Sequence, residues 1–133
     1  MKTIVLYFSR TGNTKRMAEA IAEATKATIF NIASAEPSIV ENYDCLILGT
    51  PVEAFNPARE TMRFVKRLPK AEGKKAILFC TYKLWKGNTF KVLEREISSK
   101  GYKVILCVSK KGIKPDRSLD FAEELDKIKK ALS

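Results

Sequence analysis

The chain contains no histidine. That absence removes the commonest general acid or base at neutral pH and the commonest transition-metal ligand. Hydrolysis by a histidine-based triad is thereby excluded. Cysteine is scarce, and Cys45, Cys80 and Cys107 each fall in or at the end of a strand-like apolar run. Their spacing matches no metal-ligand pattern, so they read as buried thiols. No apolar run approaches the roughly 20 residues of a membrane-spanning helix. Met1-Lys2 leads straight into a strand instead of a signal peptide, so a cytoplasmic location without membrane attachment is the default expectation. Glycine is sparse, at six residues. No Gly-Lys-Ser/Thr follows the first loop, and Gly12 stands alone where a dinucleotide site needs three glycines. Internal repeats, low-complexity tracts and linkers are missing. With 45% hydrophobic residues in 133, the expectation is a single domain, 1–133, around one substantial core.

What the sequence does have is alternation of strand and helix. Thr3–Phe8 (TIVLYF) is an apolar strand, and Lys15–Lys26 places Met17, Ala18, Ile21 and Ala22 at helical spacing. Strands are then predicted at Thr28–Ile32, Asp44–Gly49, Lys75–Thr81 and Val104–Val108. Between them, Pro57 reads as a first helical residue with Asn56 as its cap, ahead of an apolar face of Ala58, Met62, Val65 and Leu68. A helix over Asn88–Lys100 stops at Gly101, and Phe121, Ala122, Leu125, Ile128 and Leu132 stripe a final one. Strands apolar on both faces, separated by amphipathic helices, predict an α/β fold with a doubly wound, five-stranded parallel sheet.

The most specific segment is Ser9-Arg10-Thr11-Gly12-Asn13-Thr14, between the first strand and the first helix. A strand that ends abruptly at a helix N-terminus offers unpaired backbone N–H groups and the positive end of the helix dipole, both of which favour an anion. Ser9, Thr11 and Thr14 add hydroxyl donors, Gly12 lets the backbone turn closely, and Asn13 tolerates turn conformations. The alternative is a capped turn whose hydroxyls serve only the helix.

This segment resembles the N-terminal signature [ST]-x-T-G-x-T of the flavodoxin family, with Ser9, Thr11, Gly12 and Thr14 filling all four specified positions. The resemblance implies the phosphate of FMN in the loop and sheet order 2-1-3-4-5. The ligand then lies at the carboxyl ends of strands 1, 3 and 4. Other occupants of such a sheet fail at those places. A response regulator needs acidic residues where Ser9 and Thr50 stand, and a low-molecular-weight phosphatase needs Cys-x5-Arg in the first loop.

The resemblance extends, less specifically, to two more loops. Gly49-Thr50-Pro51-Val52-Glu53-Ala54-Phe55-Asn56 is similar to the family's loop beside the flavin ring, with Phe55 as an aromatic contact or a rim residue. Relatives often carry a glycine near Phe55 that lets a peptide flip. Here either Asn56 takes the positive φ or the flip is lost. Thr81-Tyr82-Lys83-Leu84-Trp85-Lys86-Gly87 supplies Tyr82 and Trp85 for the other side of the ring, Trp85 alternatively lying as a lid over the next helix.

Charge departs from the family's acidic habit. Lys66–Ser118 holds fifteen basic and four acidic residues, whereas Met1–Val65 is balanced at seven each. The excess implies a redox partner protein with an acidic docking face, or steering of a phosphorylated ligand by Lys83 and Lys86. The alternative is lysine enrichment for solubility or thermal tolerance. No interleaved aromatic and basic groove argues for nucleic acid. The expected function is that of a small FMN-binding electron-transfer protein with no catalytic or metal-ligating residue of its own. Two alternatives remain open. One is an FMN-dependent oxidoreductase acting on a small acceptor such as a quinone, with Tyr82, Trp85 and Lys86 as a substrate wall. The other is a binding domain of this fold without functional flavin.

Overall fold

A computed structural model describes all of Met1–Ser133. The elements run β1 (Thr3–Tyr7), α1 (Asn13–Thr25), β2 (Thr28–Asn31), β3 (Cys45–Glu53), β4 (Asn56–Pro57), α2 (Arg59–Lys66), β5 (Lys75–Tyr82), α3 (Thr89–Ser99), β6 (Lys103–Lys111) and α4 (Ala122–Leu132). Short 3-10 turns at Ile32–Ser34 and Pro37–Asn42 join β2 to β3.

Five strands pair in parallel in the order β2-β1-β3-β5-β6, the predicted 2-1-3-4-5 order once the two-residue β4 is set aside. Strand alternation sorts the core into two halves. Ile4 and Leu6 of β1, Leu46 and Leu48 of β3 and Leu78 of β5 meet Phe64, Val65, Leu93 and Ile97 of α2 and α3. Val5, Ile47, Ile77 and Phe79 point the other way, onto Met17, Ala18 and Ile21 of α1 and Ile128 of α4. Because both faces are covered, the central strands read as continuous apolar runs, each fully buried side chain contributing roughly 1.5–3 kcal/mol. Gly49 has a steric reason: a Cβ there would lie 2.0 Å from the Phe79 ring. No helix is long and apolar enough to cross a membrane.

The main difference from expectation follows β3, which continues past Gly49 to Glu53 and turns back as β4 in an antiparallel pairing of Val52 with Pro57 and Glu53 with Asn56. Asn56 and Pro57 are thus strand residues, and α2 begins after Ala58. Ala58 N–H donates to Thr50 Oγ1 at 3.1 Å, which ties the start of α2 to β3, and no side chain caps the helix. Nor does Asn56 adopt the positive φ. Ala54 (φ 51°) and Phe55 (φ 65°) do, as the two central residues of a tight hairpin require.

Candidate functional site

The carboxyl ends of β1, β3 and β5 come together, as a doubly wound sheet requires at the point where strand order reverses. Gly12, at φ 104°, turns the chain into α1. The N–H groups of Gly12 and Lys15 both donate to Ser9 Oγ, each at 3.2 Å. Backbone donors therefore converge on one point at a helix N-terminus whose first turn holds no acidic residue. Thr11 is exposed at the loop's tip. Thr14 is buried, and its Oγ1 lies 2.6 Å from Thr81 Oγ1. When Thr81 donates, the Thr14 proton is free for an anion.

Two other loop side chains are bonded to neighbouring elements. Arg10 forms a two-pronged pair with Glu53, through Nε to Oε2 and through Nη2 to Oε1 at 2.9 Å, and its Nη2 also reaches Glu60 at 2.8 Å. Its guanidinium stands 4.8 Å over the Phe8 ring. The hydrogen bond from Arg10 is the main reason the Glu60 carboxyl is held below its usual range. Arg10 thus fastens the β3–β4 hairpin and α2 to the first loop, its charge already matched by two carboxylates. Asn13 is 4% exposed. Its Nδ2 donates to the Lys114 carbonyl at 2.9 Å, and its Oδ1 accepts from Arg16 at 2.8 Å and from the Asp116 N–H at 2.9 Å.

A cleft of about 350 Å³ opens between the three expected loops. Pro51, Val52, Glu53 and Ala54 form one wall, Thr81, Tyr82 and Lys83 the other, with Arg10, Thr11 and Asn13 between them. Thr50 stands behind the first wall, fully buried, its hydroxyl accepting from Thr61 at 2.9 Å. Phe55, Trp85, Lys86 and Gly87 are not among the lining residues. Phe55 and Trp85 instead pack on each other outside the cleft, ring centroids 5.3 Å apart. The Lys86 ammonium lies 5.9 Å from the Phe90 ring. Gly87 (φ 59°) sits against Phe55, where a Cβ would be 2.4 Å from the Phe55 carbonyl oxygen. Asn56 folds its Nδ2 back onto the Ala54 carbonyl at 3.0 Å.

Gly112 and Lys114 line the cleft from outside the three expected loops. They follow β6, where the Gly112 N–H donates to the Tyr82 carbonyl at 2.8 Å. A glycine set among lysines at the carboxyl end of the last strand is a signal for this fourth contributor. The three thiols lie away from the cleft, and burial pushes them up, Cys80 to about 12 and Cys45 and Cys107 to about 11. No His, Cys, Asp and Glu cluster could hold a metal ion.

These features define a doubly wound domain with a strand-to-helix loop and two facing walls at the switch point of its sheet. The chain belongs to the flavodoxin family, whose flavodoxin domain model matches residues 4–104. It is 32% identical over 108 residues to an uncharacterised protein of Methanocaldococcus jannaschii, covering 79% of this chain and 71% of that one. Among solved structures it is similar to oxidised flavodoxin 1 of Bacillus cereus, with a TM-score of 0.82 and 23% identity over 99% of this chain and 97% of the other. It is also similar to two-electron-reduced flavodoxin of Megasphaera elsdenii, with a TM-score of 0.80 and 25% identity over 97% and 96% of the two chains.

Proposed function

We propose that this protein binds FMN and passes electrons between other redox proteins. The observation that carries the reading is the shared opening: Arg10, Thr11 and Asn13 of the loop at the α1 N-terminus line the same cleft as two walls suited to a flat ring. The donor set fits a phosphate monoester. The Thr11 hydroxyl and the Thr14 proton are neutral donors, and the helix dipole adds field without a competing carboxylate. The cleft volume lies within the usual range for small-molecule sites. When bound, the flavin supplies one- and two-electron redox chemistry.

The chain's own residues bind and orient. Thr11 and Thr14 hold the phosphate end, Pro51–Ala54 and Thr81–Lys83 enclose the ring, and Arg10 fixes one wall to the phosphate loop. No side chain in the cleft is poised as nucleophile or general base, which favours a carrier over an enzyme with its own substrate. The three unbridged thiols suit a cytoplasmic setting.

The test is a visible absorption titration of the purified chain with FMN and with riboflavin. FMN is expected to bind much more tightly, and Thr11→Ala to weaken FMN by about 1.5–3 kcal/mol while sparing riboflavin. Equal affinity for the two flavins in the wild type would remove the phosphate-site assignment. Quinone turnover with NAD(P)H and no added partner protein would favour the enzyme reading.

A further inference from the structure

Six large hydrophobic residues are exposed, and three of them, Phe55 (50%), Leu84 (76%) and Trp85 (63%), follow the two walls of the cleft in sequence and lie just outside it. Together with Val52, Ala54 and Lys83 they line a shallow hollow of about 170 Å³ beside the cleft. Val52, Ala54 and Lys83 face both spaces, so whatever covers the hollow lies against the flavin cleft. The hollow is held in shape by its backbone. The Phe55 carbonyl accepts from the Asn88 N–H at 2.8 Å, and Gly87 packs directly on Phe55.

The unpaired charge around the hollow is of one sign, since Glu53, between Val52 and Ala54, is taken up by Arg10. Lys83 and Lys86 flank Leu84 and Trp85 in sequence, and Lys114 faces Lys83 across the cleft. None of these three ammonium groups pairs with a carboxylate, although six other ion pairs form in the molecule. The β5–β6 edge that carries them belongs to the segment with fifteen basic and four acidic residues. A second copy would bring the same sign to the contact and be repelled. Nucleic acid is a poorer match, because the two rings meet at 54°, closing on each other instead of leaving a slot for a stacked base.

We propose that Phe55, Leu84 and Trp85, with the unpaired Lys83, Lys86 and Lys114, form the docking face for an acidic protein. That partner seats an apolar side chain in the hollow and surrounds it with carboxylates. Apolar contact at the centre gives affinity, and the cationic rim gives orientation and fast encounter. The proposal deepens the carrier reading, since the face adjoins the cleft, but binding at the face is measurable without flavin.

The probe is a rhodamine-labelled peptide with one leucine between two runs of four glutamates, followed by anisotropy with the full chain, flavin-free and FMN-loaded. Trp85 is the only tryptophan, so its emission reports independently on the hollow. Expected is saturable binding with a blue-shifted Trp85 emission, weakened at least tenfold by K83E/K86E and at least fivefold by Trp85→Ala. Replacing the glutamates by glutamine should weaken it at least tenfold. The charge-matched control K127E/K129E on α4 should change it less than twofold. Equal losses from the two lysine pairs, or no loss with the glutamine peptide, would overturn the proposal. So would tighter, Trp85-dependent binding of single-stranded oligo(dT), or a concentration-dependent dimer abolished by Trp85→Ala. Absence of FMN binding with the peptide pattern intact would refute the carrier reading and leave the docking face standing.

Discussion

Replacing Thr14 or Thr81 by valine tests the buried contact that seats the first turn of α1 on the end of β5. The two hydroxyl oxygens are 2.6 Å apart, in residues 1% and 6% exposed. Valine keeps the shape and removes the polar group. Each single substitution strands the other hydroxyl, at a cost of about 1–3 kcal/mol. The double substitution strands neither and should cost no more than one of the singles, which gives a coupling of about 1–3 kcal/mol in a double-mutant cycle. Urea midpoints with unchanged slopes are the assay, and at this chain length each kcal/mol corresponds to roughly 3–5 °C in Tm. Thr14→Val should also narrow the preference for FMN over riboflavin, whereas Thr81→Val should leave it largely intact. Strictly additive stability losses would show that the two hydroxyls do not depend on each other, and the inference that this contact shapes the anion loop would fall.

Two further outcomes are expected. In the FMN-loaded protein the two one-electron reductions should run together on stepwise titration, because the Phe55 carbonyl is already bonded to Asn88 and the hairpin is paired on both sides; two well-separated steps would show that the hairpin rearranges. The buried thiols predict alkaline destabilisation. Free cysteine ionises near 8.5, whereas the native thiols are held at about 11 to 12, so the folded state keeps protons that the unfolded chain releases. Stability is therefore unaffected at neutral pH and falls as pH rises above about 8.5. Urea midpoints at pH 7 and pH 10, with Cys80→Ala losing less than wild type between them, check the sign.

Much of the architecture was legible because strand alternation and helix periodicity are local signals, and the buried parallel strands are continuous apolar runs. The first loop was legible for the same reason: its glycine, its hydroxyls and the helix that follows lie within a few residues. What failed was non-local. Nothing near Asn56 announces that β3 continues and folds back, since the residue that receives the Ala58 N–H is Thr50, eight positions earlier. Tight hairpins usually advertise themselves by Asn-Gly, and here Ala54-Phe55 accepts the positive φ instead. Arg10 and Asn13 lie in the first loop, but their bonding partners, Glu53, Glu60, Lys114 and Asp116, are 43 to 103 residues away. Trp85 was expected beside the ring or over a helix, yet it rests on Phe55, a partner from the opposite loop.

The Asn13 amide has a consequence for the order in which the protein assembles. One side chain near the amino terminus holds a carbonyl and an N–H that lie 101 and 103 positions further along the chain. Closing so long a loop carries an entropic cost that only a largely formed sheet can offset. The loop between β1 and α1 therefore acquires its final shape late, after β6 has paired with β5. On the ribosome, a nascent chain ending before Lys114 can build the sheet around β1, β3 and β5 yet still lack both backbone partners of Asn13. The settled position of Asn13 is in this sense a check that the chain has been made as far as Asp116.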